Sequence, residues 1–265
     1  MTLDHWRAAA RDFKEGAART WLWHGIAWND LRQRYSGSAL GSVWITANIA
    51  LLTLCITFVF AGPLGASHGL YAPYVATGLV LWYLIQSTLA EASNTFVGAA
   101  ETIRHSPMPL SVQVLRVAWR NILIFAHNVA IVPLVLIYFG IVPHTSVLLA
   151  VPGLLLIAAN LVSATVILGL LGARFRDVQQ IMTSLLQLLF FATPIVWFPA
   201  ALAGDRAWIA AANPIHAFID IVRAPLLGGV PGATSWPVAL AVTAAGIVVA
   251  VAAFVRFRSR VAFWI

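Results

Sequence analysis

The residues that could do chemistry are few and dispersed along the chain. The 265 residues include one lysine, Lys14, one cysteine, Cys55, and seven histidines. The sequence has no G-x-x-x-x-G-K-[ST] loop for nucleotide phosphates and no H-E-x-x-H or C-x-x-C metal pattern. It also lacks the paired Asp-rich motifs that hold magnesium for prenyl transfer. We therefore predict no catalytic residue, no metal site and no cofactor on this chain.

The ionisable residues near apolar sequence do not form a relay either. A proton-coupled transporter usually carries acidic residues within its spans, but Glu91 and Asp220 both lie away from the centre of an apolar block. His127 does lie mid-block, and we interpret it as bonded to a neighbouring helix. Cys55 is interpreted as a small packing residue in preference to a catalytic thiol. The chain thus has no evident energy source of its own.

Composition indicates the elements that must position these residues. Hydrophobic residues make up 61% of the chain and charged residues only 9%, against roughly a quarter charged in soluble domains. Charge-free blocks mark candidate spans, because a charge at the bilayer centre costs several kcal/mol. Residues 36–90 and 121–173 can each hold two spans, 178–204 and 224–255 one each, and 207–219 none. We predict an all-α integral membrane protein with six transmembrane helices.

The basic residues predict the orientation. Lys and Arg accumulate in cytoplasmic loops, and a cytoplasmic N-terminus places all 16 of them inside except Arg206 and Arg223. Both termini are then cytoplasmic. This dispersal accounts for the net charge of +7, so the expected partners are anionic membrane lipids and not nucleic acid.

Residues 1–35 are predicted to be a cytoplasmic segment, and residues 36–265 the six-helix transmembrane domain. The first segment is expected to contain an amphipathic helix at the membrane interface. One helical face of it holds Trp21, Trp28, Leu31 and Tyr35, and the opposite face holds Arg19, Asn29, Asp30 and Arg32. A simple aromatic anchor and a moving gate are equally compatible with this pattern.

Several short motifs occur in a characteristic order. The run from Arg34 to Gly41 precedes Trp44 at the start of the first span. The later motifs are Glu91-Ala92-Ser93-Asn94 with Phe96, Ile103-Arg104 with Pro109, Arg174-Phe175-Arg176-Asp177, Phe190-Phe191-Ala192-Thr193-Pro194, Asn213-Pro214, and Arg223 with Leu226-Leu227-Gly228. From about residue 28 to the end, the chain resembles permease subunits of type-two ABC exporters. The resemblance is to the branch that exports O-antigen, capsular polysaccharide or teichoic acid.

The resemblance implies a homodimer of this chain with two copies of an ABC ATPase subunit, which would bind the ATP and Mg²⁺. It implies export of a lipid-linked polysaccharide across the bacterial inner membrane. Two alternatives stay open. A drug- or lipid-exporting permease of the same superfamily would lack an aromatic-rich lining. An intramembrane enzyme of polyprenyl-phosphate metabolism would need clustered carboxylates or histidines.

The connection at residues 95–109 is expected to hold a short cytoplasmic helix that ends at Pro107 and Pro109. The resemblance implies that this is the coupling helix that docks on the ATPase. Its candidate contacts are Glu101, Ile103, Arg104 and His105. The stretch from His105 to Pro107 departs from the family, where a basic residue and larger apolar or aromatic residues are common. An ordinary polar loop is the alternative.

Aromatic side chains are the candidates for a sugar pathway, because aromatic faces pack on sugar rings without fixed hydrogen bonds. The chain has 11 Trp, most of which we expect to be interfacial anchors. The pathway candidates are Trp82, Tyr83, Phe190, Phe191, Trp197 and Phe198.

Two further sets of residues are candidates at the two mouths of the pathway. Cytoplasmic guanidinium groups suit the pyrophosphate of a polyprenyl carrier, although topology determination alone is the alternative role for each. The entrance candidates are Arg32, Arg34, Tyr35, Arg174 and Arg176. Residues 207–219 are expected to form a re-entrant pair of helices broken at Asn213-Pro214, which with Arg223 would form an outer gate. An interfacial loop helix is the alternative.

Overall fold

The computed structural model describes residues 3–34, 36, 41, 43–63, 68–106, 108–142, 144–201 and 208–265. Regular structure in these residues is entirely helical, which confirms the predicted all-α class. Tyr35, Pro107 and Arg206 lie outside the described residues. The helices are α1 (Leu3–Ala18), α2 (Thr20–Arg34), α3 (Val43–Phe60), α4 (His68–Ala92), α5 (Ala100–His105), α6 (Ser111–Asn128), α7 (Ile131–Tyr138), α8 (Ala150–Arg174), α9 (Val178–Ala192), α10 (Trp208–Ala211), α11 (Pro214–Leu226), α12 (Ser235–Phe257) and α13 (Val261–Trp264).

Five helical stretches in the described part of the chain are long and apolar enough to cross a membrane. They are Val43–Phe60, Gly69–Ala92, Ser111–Tyr138, Thr145–Arg174 and Ser235–Trp264. The helix α9 is apolar but has only 15 residues. At 1.5 Å per residue it is about 22 Å long, which is shorter than a hydrocarbon core of about 30 Å.

The third spanning stretch begins earlier than the charge-free block indicated. It starts at Ser111, whereas the block starts at residue 121. Arg116 and Arg120 therefore lie within the first turns of α6, where carboxylates from other helices pair with both of them. The regular hydrogen-bonding pattern is interrupted between α6 and α7, because Pro133 has no N–H to donate to the carbonyl of Val129.

The helix α9 ends well before residue 204, the end of its charge-free block. Pro194 cannot donate a backbone hydrogen bond, and it disfavours a helical conformation at the residue before it. Thr193 accordingly adopts an extended conformation, with φ −96° and ψ 134°. The chain then continues as an irregular segment over residues 193–198, which we call the outer segment.

Glycines end two other helices. Gly140 after α7 and Gly228 after α11 both have positive φ, at 67° and 77°. In each case the next residue donates its N–H back into the last turn, from Ile141 to Leu136 and from Gly229 to Ala224. This left-handed termination is favourable for glycine alone among common residues.

The core forms around α4, which packs against α3, α6, α7, α8, α9 and α11. Two further contacts, one at a glycine and one between polar side chains, hold α8 in the bundle. The backbone after α4 approaches α8 so closely that a Cβ on Gly172 would lie 1.9 Å from the carbonyl oxygen of Ser93. Asn160 of α8 donates a hydrogen bond to the hydroxyl of Thr243 on α12.

The two N-terminal helices lie against one end of this bundle. α1 packs on α6 and α12, and α2 packs on α6. The aromatic face expected on α2 is divided, because Leu31 is buried with Ile45 and Ile124 whereas Trp21 and Trp28 are exposed.

Two residues interpreted from the sequence as packing or bridging groups, Cys55 and His127, lie on α3 and α6. Cys55 is exposed on α3 and is not a buried packing residue in this structure. The ring Nδ1 of His127 lies 2.8 Å from the carbonyl oxygen of Leu123 in its own helix, and the backbone carbonyl of His127 accepts a hydrogen bond from the hydroxyl of Thr46 on α3.

Candidate functional site

Five charged side chains from α2, α4 and α6 form one network, which we call the ionic cluster. Arg116 donates two hydrogen bonds to Asp30 at 2.6 and 2.7 Å. Arg120 donates to Asp30 at 2.7 Å and to Glu91 at 2.8 Å, and Arg34 donates to Glu91 at 3.0 Å. Three guanidinium groups thus share two carboxylates. Sequence reasoning missed this cluster, although two arginines four residues apart lie on one face of a helix.

A polar cavity of about 410 Å³ lies beside the ionic cluster, between the end of α4, α6 and the first turns of α9. Its lining residues are Ala90, Glu91, Asn94, Thr95, Gly98, Gln113, Arg116, Val117, Arg120, Gln179 and Thr183. Two side-chain atoms of these residues, Thr95 Oγ1 and Arg120 Nε, are buried without a hydrogen-bond partner.

The entrance candidates do not form one group. Arg34 joins the ionic cluster, but Arg32 and Arg176 are exposed. The guanidinium of Arg174 lies over the rings of Phe175 and Trp264, with its Cζ atom 5.5 and 5.9 Å from their centroids.

Three of the coupling-helix candidates are exposed, namely Glu101, Arg104 and His105, and Ile103 is half-buried. The side chains of Glu101 and His105 are exposed, and the distance from Glu101 Oε2 to His105 Nε2 is 3.4 Å. Ile103 packs against a core cluster, and Arg104 donates a hydrogen bond to the carbonyl oxygen of Ile265. The helix α5 therefore presents Glu101 and His105 outward and uses Arg104 for its own anchorage.

Asp12 anchors α1 to the start of α6. Its buried carboxylate accepts hydrogen bonds from the backbone N–H groups of Leu110 and Ser111, and from Arg258. A carboxylate at a helix N-terminus is favourable because the first N–H groups of a helix have no partner within it. Sequence reasoning missed this contact, whose two sides are far apart in the chain.

Two polar residues of the predicted outer gate bind the end of α9. Asn213 accepts from the N–H groups of Ile215 and His216 and so caps α11, with Pro214 in its first turn. Its Nδ2 donates to Thr193 Oγ1 at 2.9 Å. Arg223, 3% exposed, donates to the carbonyl oxygen of Pro194 at 2.7 Å.

Two tyrosines of α4 hold the outer segment from its other side. Tyr71 donates its hydroxyl to the carbonyl oxygen of Val196, and Tyr74 donates to those of Pro194 and Trp197. The Arg223 guanidinium lies over the Tyr74 ring, 3.8 Å from its centroid. The outer segment is therefore held through its backbone carbonyl groups, which no sequence motif indicated.

The aromatic candidates occupy different environments. Trp82 is 2% exposed and packs in the core with its centroid 5.7 Å from that of Phe190. Phe191 is 76% exposed, and its carbonyl oxygen accepts from the indole of Trp197. Phe198 packs on the Tyr74 ring. Tyr83 is on the exposed side of α4. Trp82 thus has no accessible surface in this structure, whereas Phe191 does.

The helix α9 carries an exposed face of uncharged polar residues. Only Leu186 of this helix is buried. The exposed polar residues are Gln179, Gln180, Thr183, Ser184 and Gln187, at spacings that bring them to one side of the helix. Phe191 lies one turn beyond Gln187 on the same side.

No metal site accompanies these clusters in the described part of the chain, where no three His, Cys, Asp or Glu side chains lie close enough to hold an ion.

Known proteins of two bacteria are similar to this chain over most of its length. An O-antigen export system permease protein RfbA of Klebsiella pneumoniae is 27% identical over 194 residues, covering 72% of this chain and 74% of that protein. A second Klebsiella pneumoniae RfbA is 27% identical over 205 residues, covering 76% and 78%. The Myxococcus xanthus RfbA is 25% identical over 198 residues, covering 74% and 76%. The pattern of the ABC-2 type transporter family matches residues 22–227, and this chain therefore belongs to that family of multi-pass membrane proteins.

Proposed function

We propose that the chain is the transmembrane permease subunit of an ABC transporter that exports a lipid-linked polysaccharide across the bacterial inner membrane. The observation that carries this proposal is the family match over residues 22–227, together with relatives that are O-antigen export permeases. A drug or lipid exporter is not favoured by these relatives. An intramembrane enzyme of polyprenyl-phosphate metabolism is likewise not favoured by them.

The active assembly is a homodimer of this chain with two separate ATPase subunits, on which ATP and Mg²⁺ bind. The exposed polar face of α9 supports this assembly. Lipid offers no hydrogen-bond partner to glutamine or serine side chains, so such a face is stable only against protein or water. We place the α9 helices of two copies on either side of the pathway.

The topology has six crossings with both termini in the cytoplasm. The helix α9 and the outer segment together make the fifth crossing, because α9 alone is too short. The helices α10 and α11 form the re-entrant outer pair, and α2 lies at the cytoplasmic interface. The carbonyl bonds from Asn213 and Arg223 support an outer gate that closes on residues 193–198.

Polysaccharide moves along the side of α9 that presents Phe191, with Tyr83, Phe190, Trp197 and Phe198 as further contacts. Trp82 supports Phe190 from within the core. The ATPase docks on the coupling helix α5 through Glu101 and His105, which are both exposed. Arg32, Arg34, Tyr35, Arg174 and Arg176 attract the carrier pyrophosphate at the cytoplasmic entrance.

Deletion of the gene in its native host tests this function. We expect loss of the surface polymer and accumulation of lipid-linked polymer in the cytoplasm, with both defects reversed by a plasmid copy. The same plasmid copy should restore neither property in a host whose ATPase subunit cannot hydrolyse ATP. Normal surface polymer in the deletion strain would contradict the proposal.

A further inference from the structure

The polar cavity beside the ionic cluster is too large and too polar to be an ordinary packing defect. Empty cavities in proteins are typically apolar, whereas this one is lined by arginine, glutamate, amide and hydroxyl groups. Its volume of about 410 Å³ is within the range of small-molecule binding sites.

Some of the polar groups around the cavity lack partners. Thr95 is 5% exposed, lines the cavity and has no hydrogen-bond partner for its hydroxyl. The Nε of Arg120, which also lines the cavity, has no hydrogen-bond partner among the described residues either. Buried donors and acceptors are unfavourable when unpaired, so these groups favour binding of a ligand that offers hydrogen bonds.

The lining divides into two kinds of chemistry. Arg116 and Arg120 supply guanidinium groups, and the ionic cluster to which they belong has one more cation than anion. Guanidinium groups bind phosphate oxygens in pairs of hydrogen bonds. Glu91, Asn94 and Gln113 add carboxylate and amide groups of the kind that bind sugar hydroxyls.

The cavity also connects to the exposed polar face of α9. Gln179 and Thr183 belong both to that face and to the cavity lining. A molecule bound here would therefore contact the start of the pathway that we assign to α9.

We propose that this cavity binds the diphosphate and first sugar of the lipid-linked polysaccharide before transport. The inference rests on the proposed function and assigns the substrate's reducing end to Thr95, Arg120 and Gln179. The exposed arginines at the entrance attract the carrier, and the cavity then holds its head group.

A binding measurement tests the assignment on the purified permease and ATPase complex in nanodiscs of phosphatidylcholine. The probe is farnesyl-diphosphate-linked N-acetylglucosamine. The variants are Thr95→Val and the double variant Gln179→Ala with Thr183→Val. The matched control is Thr145→Val, because this exposed hydroxyl lies outside the cavity lining and away from α9.

We expect each cavity variant to weaken probe binding about tenfold, as the loss of a hydrogen bond to a charged group does. Thermal unfolding should be unchanged, and the control should bind like the unmodified complex. Wild-type affinity in the cavity variants would overturn the proposal, as would a probe that binds no better than farnesol. Equal competition by inorganic pyrophosphate or by phosphatidylglycerol would also overturn it, because the site would then recognise a free phosphate or an ordinary lipid.

The same variants separate this inference from the proposed function. If the unmodified gene restores surface polymer and the cavity variants restore it equally well at low substrate supply, the cavity assignment fails alone. If the deletion strain exports polymer without the gene, the proposed function fails.

Discussion

The guanidinium of Arg223 donates a hydrogen bond of 2.7 Å to the carbonyl oxygen of Pro194, two residues after the last residue of α9. Pro194 creates the break in the helix, and Arg223 binds the backbone that the break leaves exposed. Because Tyr74 bonds the same carbonyl and stacks on the same guanidinium, three elements meet at this point.

Replacement of Arg223 should destabilise the packing of α4 and α11 on residues 193–198. Arg223→Ala removes a charged hydrogen bond and a desolvated cation–π contact, together worth about 3 kcal/mol. Arg223→Lys keeps the charge without the planar group, so we expect about half of that loss. Unfolding in detergent, followed by tryptophan fluorescence, measures both variants. Equal stability of Arg223→Ala and the unmodified protein would refute the role of this contact.

Asn213 should contribute through two separable roles, as a helix cap and as a donor to α9. Asn213→Ala loses both, and we expect a loss of about 2 kcal/mol. Asn213→Asp keeps the cap oxygen but cannot donate to Ala192 and Thr193, so about half the loss is expected. The comparison is made by the same unfolding measurement. If the aspartate variant is as unstable as the alanine variant, the cap contributes nothing.

The ion pairs of Arg34 and Arg116 in the ionic cluster should contribute unequally to the free energy of unfolding. Arg34 is half exposed, so Arg34→Met should cost less than about 1 kcal/mol, and high salt should abolish the effect. Arg116 binds Asp30 with two hydrogen bonds in a mostly buried setting, and Arg116→Met should cost about 2 kcal/mol. Unfolding at low and high salt tests both values. The ranking is wrong if Arg34→Met proves the more damaging variant.

Charge reversal on the coupling helix should weaken assembly with the ATPase. Glu101 is exposed and does not support the fold, so Glu101→Lys should lower recovery of the ATPase on affinity-tagged permease several-fold without changing expression. Asp4→Lys on α1 is the matched control, since Asp4 is also exposed. Arg104 is a less suitable position, because a variant there would also remove the hydrogen bond to the carbonyl oxygen of Ile265 and so disturb the packing of α5. Undiminished recovery with Glu101→Lys would exclude the assigned contact.

The exposed ring of Phe191 should matter for transport and not for folding. Phe191→Ala should leave expression and thermal unfolding unchanged, because the ring buries little surface in the chain. Polymer export should fall several-fold if sugar rings pack on this side chain. Tyr138→Ala, another exposed aromatic in a membrane helix, should export normally. Equal export by both variants would remove Phe191 from the pathway.

Charge-free blocks predicted a spanning helix well where the helix contains no charged residue that pairs with another helix. The α3 and α4 helices lie within or near the block at residues 36–90 because no Asp, Glu, Lys or Arg interrupts it. The start of α6 could not be found this way, since Arg116 and Arg120 lie inside the helix and depend on Asp30 and Glu91. Those partners are far away in sequence, and only tertiary packing brings them together.

The local features of the candidate site could be predicted from the sequence, but its long-range contacts could not. A short helix between residues 95 and 109 is present as α5, and Asn213-Pro214 does begin a helix, because prolines and caps act locally. The polar cavity requires three separate parts of the chain, between Ala90 and Thr183, and has no local signal. Likewise, the burial of Trp82 depends on its neighbours in the bundle and not on its residue type.

Transport by purified components tests the central claim most directly. The chain is reconstituted with its partner ATPase in proteoliposomes that carry lipid-linked polysaccharide on the ATPase side, and a glycosidase reports polymer that reaches the opposite side. We predict translocation that requires both subunits and ATP hydrolysis and that stops when either subunit is omitted. Polymer that stays on the ATPase side while ATP is hydrolysed by the intact complex would contradict the account.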